Sequence, residues 1–260
     1  MKIFNKLIMK KLILFSAILT LISCNSSEKK QAEPVYGSEA VLIVNYQLDN
    51  MSLEKHAELG SAVAPSFVSE NVPGLLGKSF IGDVDRGVFG GVYYFENSES
   101  VTTYLDSELW KGVVAHPNLV EFKTDVFKTF NGTELANGVH SSRKTSSDTA
   151  DAENLHILVV NYTYTEAPTD EEMSSQIKEF APVFSNENFP GMIGKTMINN
   201  NEDKVYGGVY YFTSRDAIEN YFQSDLWKGF EGDKNTDVYK KDIYGVASIS
   251  TISNGVPVVD

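Results

Sequence analysis

The sequence predicts an α+β fold: two tandem ferredoxin-like modules of order βαββαβ, packed sheet to sheet within one chain. Three observations carry this prediction. The string GGVYYF occurs twice, at 90–95 and 207–212. The surrounding sequence aligns on the same offset of 117 residues, which lays PGLLGK (73–78) on PGMIGK (190–195), Tyr104 on Tyr221 and LWKG (109–112) on LWKG (226–229). Each copy also presents strand, helix, strand, strand, helix and strand signals in that order. Two copies are too few for a solenoid, so each module is expected to cover the open sheet face of the other.

Each module opens on a β-branched and aromatic run of strand length, AVLIVNYQL in the first and LHILVVNYTY in the second. Here VNY at Val44 meets VNY at Val160 on an offset of 116, so one residue was gained or lost before the following helix. In the second copy Thr169-Asp170-Glu171-Glu172 has the spacing of a capping box, and Met173, Ile177, Phe180 and Phe184 recur at helical intervals. Pro65 and Pro182 fall late in these helices and should kink or end them. Pro-Gly then turns the chain into the second strand, LLGKSFI or MIGKTMI, and a turn leads into GGVYYF as the third. Asn97 and Ser214 suit the N-cap of the next helix, whose buried face would hold Val101, Tyr104 and Leu105, or Ile218, Tyr221 and Phe222. A last strand near 120–130, or 238–249, completes each copy. The modules therefore span 39–135 and 154–252, with a polar linker at 136–153 and a tail at 253–260.

Lys2, Lys6, Lys10 and Lys11 precede an apolar run from Leu12 to Ile22, too short to span a bilayer comfortably, which reads as a signal peptide over 1–23. LISC at 21–24 resembles the lipobox of bacterial lipoproteins, which implies cleavage before Cys24 and lipid attachment to it. Residues 24–38 are polar and aperiodic, as expected of a tether. The expected location is the cell envelope, held by lipid at the periplasmic or outer-membrane face of a Gram-negative bacterium. Cys24 is the only cysteine, so no disulfide is available and stability must come from a packed core. Losing residues 1–23 removes four lysines and no acids, taking the formal charge from −13 to −17. Such a body argues against nucleic acid and against electrostatic docking on anionic lipid.

Alternation along the first strand puts Leu42, Val44 and Tyr46 on one face and Ile43, Asn45 and Gln47 on the other. The helices need an apolar face beneath them, so Asn45 and Asn161 should point between the sheets. Lys78 and Lys195 recur in the second strand on the face of Phe80 and Met197, respectively. A lysine there either reaches solvent at the barrel mouth or meets an anionic group. In the third strand one tyrosine of each pair should face the cavity and the other the helices; alternation alone does not choose between Tyr93 and Tyr94. The candidate pocket lining is Phe80, Tyr93, Phe95 and Trp110, with Met197, Tyr210, Phe212 and Trp227 in the second copy. Each tryptophan could instead anchor a helix end.

Pro-Gly, an apolar pair, Gly-Lys78, a short gap, Gly90-Gly91-Val92-Tyr93-Tyr94-Phe95 and the helix with Tyr104-Leu105 together resemble the dimeric α+β barrel superfamily, most closely its YdhR-type monooxygenases. The resemblance covers about a hundred residues of each half. It implies two sheets enclosing a cavity, made here by one chain without a homodimer. It also implies cofactor-free oxygenation of small aromatic or quinone-like compounds, with Asn45 and Asn161 orienting substrate or oxygen and Lys78 and Lys195 stabilising an anion. The alternative is a non-catalytic lipoprotein that binds a small apolar ligand or a partner. A haem-related role, also found in the superfamily, ranks third, with His56 as its candidate ligand. The four histidines show no metal-ligand spacing, and PGLLGK lacks the spacing of a phosphate loop, so no metal or cofactor is expected.

Overall fold

Eight antiparallel strands close into a barrel in the order β1-β3-β2-β8-β5-β7-β6-β4. The structure is a computed structural model that describes residues 39–130, 155–180 and 183–247. The signal peptide, Cys24, the tether, the central linker and the tail lie outside the described residues. The first module supplies β1 (Ala40–Leu48), β2 (Leu75–Asp83), β3 (Val88–Phe95) and β4 (Leu119–Thr129). The second supplies β5 (His156–Tyr164), β6 (Met192–Asn200), β7 (Val205–Phe212) and β8 (Thr236–Val246). Within each module the four strands form one sheet. The two sheets meet at two corners, Ile81 opposite Val246 and Gly82 opposite Gly245 on one side, Lys128 opposite Asn199 and Thr129 opposite Ile198 on the other. Barrel closure removes the sheet edges that an isolated module would expose.

The helices cover the outer faces. α1 (Leu53–Val63) starts at Ser52, whose hydroxyl accepts from the Lys55 amide, and Pro65 sits in the short 3-10 turn that ends it. α2 (Ser98–Leu105) is capped by Asn97, and α3 (Glu108–Val114) by Ser107. In the second module α4 (Asp170–Phe180) has the anticipated capping box: the Glu172 carboxylate accepts from the Thr169 amide at 3.0 Å and the Thr169 hydroxyl from the Glu172 amide at 3.3 Å. Ser214 caps α5 (Arg215–Gln223), and Ser224 caps α6 (Asp225–Glu231). The LWKG segments thus start separate short helices instead of trailing the preceding ones. Gly74 and Gly191 adopt φ of +77° and +88° in the Pro-Gly turns, where L side chains are strained.

Alternation along the strands sorts the side chains into three cores. Between the sheets lie Val41, Ile43, Ile81, Val92, Tyr94 and Phe127 with Ile157, Val159, Ile198, Val209, Tyr211 and Tyr244. Under the first pair of helices lie Leu42, Val44, Phe67, Tyr93, Phe95 and Tyr104, and under the second Leu158, Val160, Tyr210, Phe212, Tyr221 and Trp227. Each fully buried Val, Ile or Phe contributes about 1.5–3 kcal/mol relative to exposure, so the interior core stabilises the union of the two modules.

Candidate functional site at the barrel mouth

The two asparagines fall at the same end of the barrel. Asn45 is opposite Gly90 on β3 and Lys123 on β4; Asn161 is opposite Gly207 on β7 and Lys240 on β8. Both share the parity of the interior core and so face between the sheets. A bulge follows each of them, where β1 meets β4 and where β5 meets β8, and such irregularities re-aim side chains at barrel rims. Glycine as the neighbour on the third strand leaves room. A Cβ on Gly207 would stand 3.2 Å from Asn161 Nδ2, and one on Gly90 would stand 1.8 Å from the Val44 carbonyl oxygen.

Asn161 is 2% exposed, and neither atom of its amide has a hydrogen-bond partner; the carbonyl oxygen of the half-buried Asn45 has none either. Burying such groups without partners costs about 1–3 kcal/mol each. Around Asn45 opens a cleft of about 340 Å³ lined by residues of both modules, among them Arg86, Glu121, Lys123, Lys240, Asp242 and Tyr244. That volume falls within the usual range for small-molecule sites. Arg86 bridges the modules by pairing with Asp83 and Asp242. Partial burial opposes its charge, but hydrogen bonds and attraction from both carboxylates outweigh this and hold its pKa above the ordinary value. Lys240 lies 3.3 Å from Asp125 and 3.8 Å from Asp242. Tyr244 donates to Asp242 at 3.2 Å, and burial together with the Asp242 charge raises its pKa. Glu121 occupies the bulge with φ +54°, one of three non-glycine residues with positive φ among the described residues. Strain of this kind collects at functional edges.

The lysines correct the expectation that they share this cavity. Lys78 is opposite Tyr93 and Lys195 opposite Tyr210, on the helix side of their sheets, whereas the asparagines face the interior. Neither lysine reaches the mouth, and neither has a carboxylate within 4.0 Å among the described residues. Lys78, 3% exposed, sits in an aromatic cage, its Nζ 3.0 Å from the Phe67 ring centre, 3.7 Å from that of Phe80 and 4.5 Å from that of Tyr93. Lys195 lies over Phe184 at 3.5 Å and Tyr210 at 4.5 Å. Burial holds both amines well below the usual lysine pKa. The second glycine of each GGVYYF makes space for this arrangement: a Cβ on Gly91 or Gly208 would meet the lysine Cε at 3.2 or 3.0 Å and the tyrosine ring closer still.

The aromatic lining is corrected in the same way. Phe80, Tyr93, Phe95 and Trp110, like Met197, Tyr210, Phe212 and Trp227, belong to the cores beneath the helices. Trp227 is buried and donates to Glu231 at 3.2 Å, and Trp110 packs on Tyr104 and Phe122, so the tryptophans anchor helices instead of rimming the mouth. The third-strand tyrosines that face the interior are Tyr94 and Tyr211, with ring centres 6.5 Å apart across the module boundary. Tyr211 and Ser79 share a buried hydrogen bond of 3.0 Å, and burial pushes the Tyr211 pKa up to about 12. His56 Nε2 is 2.8 Å from the Tyr46 hydroxyl and its ring packs on Phe89. This engagement, outside the interior core, does not fit an axial haem ligand. Among the described residues no group of three or more His, Cys, Asp or Glu could hold a metal ion.

The family model described as "Putative mono-oxygenase ydhR" matches twice, over residues 41–138 and 157–256. The chain belongs to the ydhR mono-oxygenase family. Its fold is similar to that of a monooxygenase-type protein from Fusobacterium nucleatum (10% identity, 82% of this chain and 93% of that one, TM-score 0.55) and of another from Lactobacillus acidophilus (12%, 85% and 100%, TM-score 0.51). It is also similar to a chlorite dismutase from Candidatus Nitrospira defluvii (11%, 84% and 95%, TM-score 0.51). No curated protein matches the chain. These likenesses establish a ferredoxin-fold barrel, and the family match supports a monooxygenase-like function.

Proposed function

We propose that the chain is a cofactor-independent monooxygenase that oxidises a small phenolic or quinol-like compound at the mouth between the two modules. The unpartnered carbonyl oxygen of Asn45, which lines the cleft, carries this reading, because a cost of about 1–3 kcal/mol is offset when a ligand supplies the missing hydrogen bond. In the proposed reaction a phenol passes its hydroxyl proton to water at the mouth, and the resulting anion accepts a hydrogen bond from Asn45 Nδ2. An electron-rich ring carbon that carries hydrogen passes electrons to O2 and bonds to it, and the peroxide takes a proton back from water to give a hydroperoxide. Loss of water then breaks the O–O bond and leaves a quinone carbonyl. One oxygen atom enters the product and the other leaves in water, so no further reductant is required. Donors already aimed at the developing charge need no reorganisation during the reaction.

Ligand binding without turnover is a second reading of the same cleft. It is favoured by the packing of Val92, Val159, Val209 and Ile198 between the sheets, which keeps a ligand at the mouth instead of enclosing it. Oxygen uptake with a panel of quinols and polyphenols separates the two. The enzymatic reading expects uptake that falls at least tenfold in Asn45→Ala; it fails if no compound that binds the cleft consumes oxygen. Lipid attachment at Cys24, and with it anchorage to an envelope membrane, completes the proposal.

A further inference from the structure

Three cations line the mouth cleft, and two of them are committed. Arg86 is tied to Asp83 and Asp242, and Lys240 to Asp125 and Asp242. Lys123 is exposed and has no carboxylate within 4.0 Å among the described residues, although Glu121 lines the same cleft two residues away. It stands opposite Asn45, whose carbonyl oxygen is a buried, unpartnered acceptor at the cleft wall, and the adjoining bulge shapes the edge on which both sit. An acceptor that lacks a donor beside a cation that lacks an anion is a complementary pair for one kind of small molecule.

We propose that the cleft selects phenols that also carry a carboxylate, with the phenol hydroxyl donating to Asn45 Oδ1 and the carboxylate meeting Lys123. This rests on the cleft being the substrate site. It narrows the substrate class from neutral quinols to hydroxybenzoate-like acids. The site is small enough to favour one or two rings, since about 340 Å³ is at the lower end for drug-sized ligands. The contact at Lys123 is partly in solvent, so its contribution should weaken with added salt.

Isothermal titration under argon tests the idea without turnover, using 2,5-dihydroxybenzoate against hydroquinone, which shares its two hydroxyls but lacks the carboxylate. At low ionic strength the acid should bind about tenfold more tightly, the gap should narrow in 0.5 M salt, and Lys123→Met should bring the acid down to the affinity of hydroquinone. Equal affinity for the two compounds, no binding of either, or a preference that survives in Lys123→Met would each overturn the proposal. Tight binding of the acid without oxygen uptake in air would leave this selectivity standing and count against the oxygenase reading alone.

Discussion

Gly90→Ala perturbs the junction between the asparagine strand and the repeated GGVYYF strand. A methyl group there would lie 1.8 Å from the Val44 carbonyl oxygen, 2.8 Å from its carbon and 3.1 Å from Asn45 Cα, all of them backbone atoms. An ordinary C···O contact is about 3.3 Å, so β1 and β3 must separate by about 1.5 Å at this point. Overpacking costs about 1–3 kcal/mol, and loss of two strand-pairing hydrogen bonds at about 1 kcal/mol each brings the total to about 3–5 kcal/mol. For a domain of this size that lowers Tm by roughly 10 °C. Gly91→Ala should cost less, because the nearest atoms, Tyr93 Cε2 at 2.8 Å and Lys78 Cε at 3.2 Å, belong to side chains. Gly112→Ala is the control: it lies in α3 with nothing within 4 Å of the added methyl, and should stabilise by about 0.5–1 kcal/mol. Thermal and urea denaturation of the three variants measure this order. A Gly90→Ala protein that melts within 2 °C of the parent, or above Gly91→Ala, would refute the register and packing on which the site is built.

Lys78→Met should stabilise the fold by about 1–4 kcal/mol at neutral pH, because it replaces a buried amine without a carboxylate partner by an apolar chain of similar length. Burial places the folded-state pKa below the unfolded value of about 10.4, so the unfolded chain binds the proton more readily and parent stability rises with pH up to that value. The advantage of Lys78→Met should therefore shrink as pH approaches about 10.4, and a pH-independent difference in denaturation midpoints would contradict the assignment. Asn161→Leu should raise stability by about 1–2 kcal/mol while weakening ligand binding, the trade expected of a polar group kept for function; loss of stability on denaturation would show the amide to be satisfied. Cys24→Ala should release the protein from the membrane fraction into the soluble one, as read by fractionation and mass spectrometry of the mature N-terminus; unchanged membrane association would refute lipid anchoring.

The fold was legible because it is written twice. The 117-residue register supplied the strand order, and the first strand, read as AVLIVNYQL, coincides with β1. Alternation in that strand also placed Asn45 and Asn161 between the sheets. The remaining lining went astray at the next step, because pairing register is a long-range property. Once Asn45 is known to face Gly90, counting by twos gives Val92 and Tyr94 as interior and leaves Tyr93 and Phe95 to the helices. Lys78 was misplaced for a different reason: an aromatic cage drawn from the turn after α1 and from β2 and β3 tolerates a buried amine, and no local pattern announces it. The charges of the mouth, Arg86, Lys123, Lys240 and Asp242, belong to no motif in the sequence that sets them apart. Only barrel closure brings residues 86 and 242 together.

Single-turnover oxidation under 18O2, followed by mass spectrometry of the product, tests the central claim most directly. With a phenol that binds the cleft, the product should carry one 18O atom from O2, and its yield should fall at least tenfold in both Asn45→Ala and Asn161→Ala. A product without the label, or a labelled product formed equally well by both variants, would contradict oxygenation at the asparagine mouth.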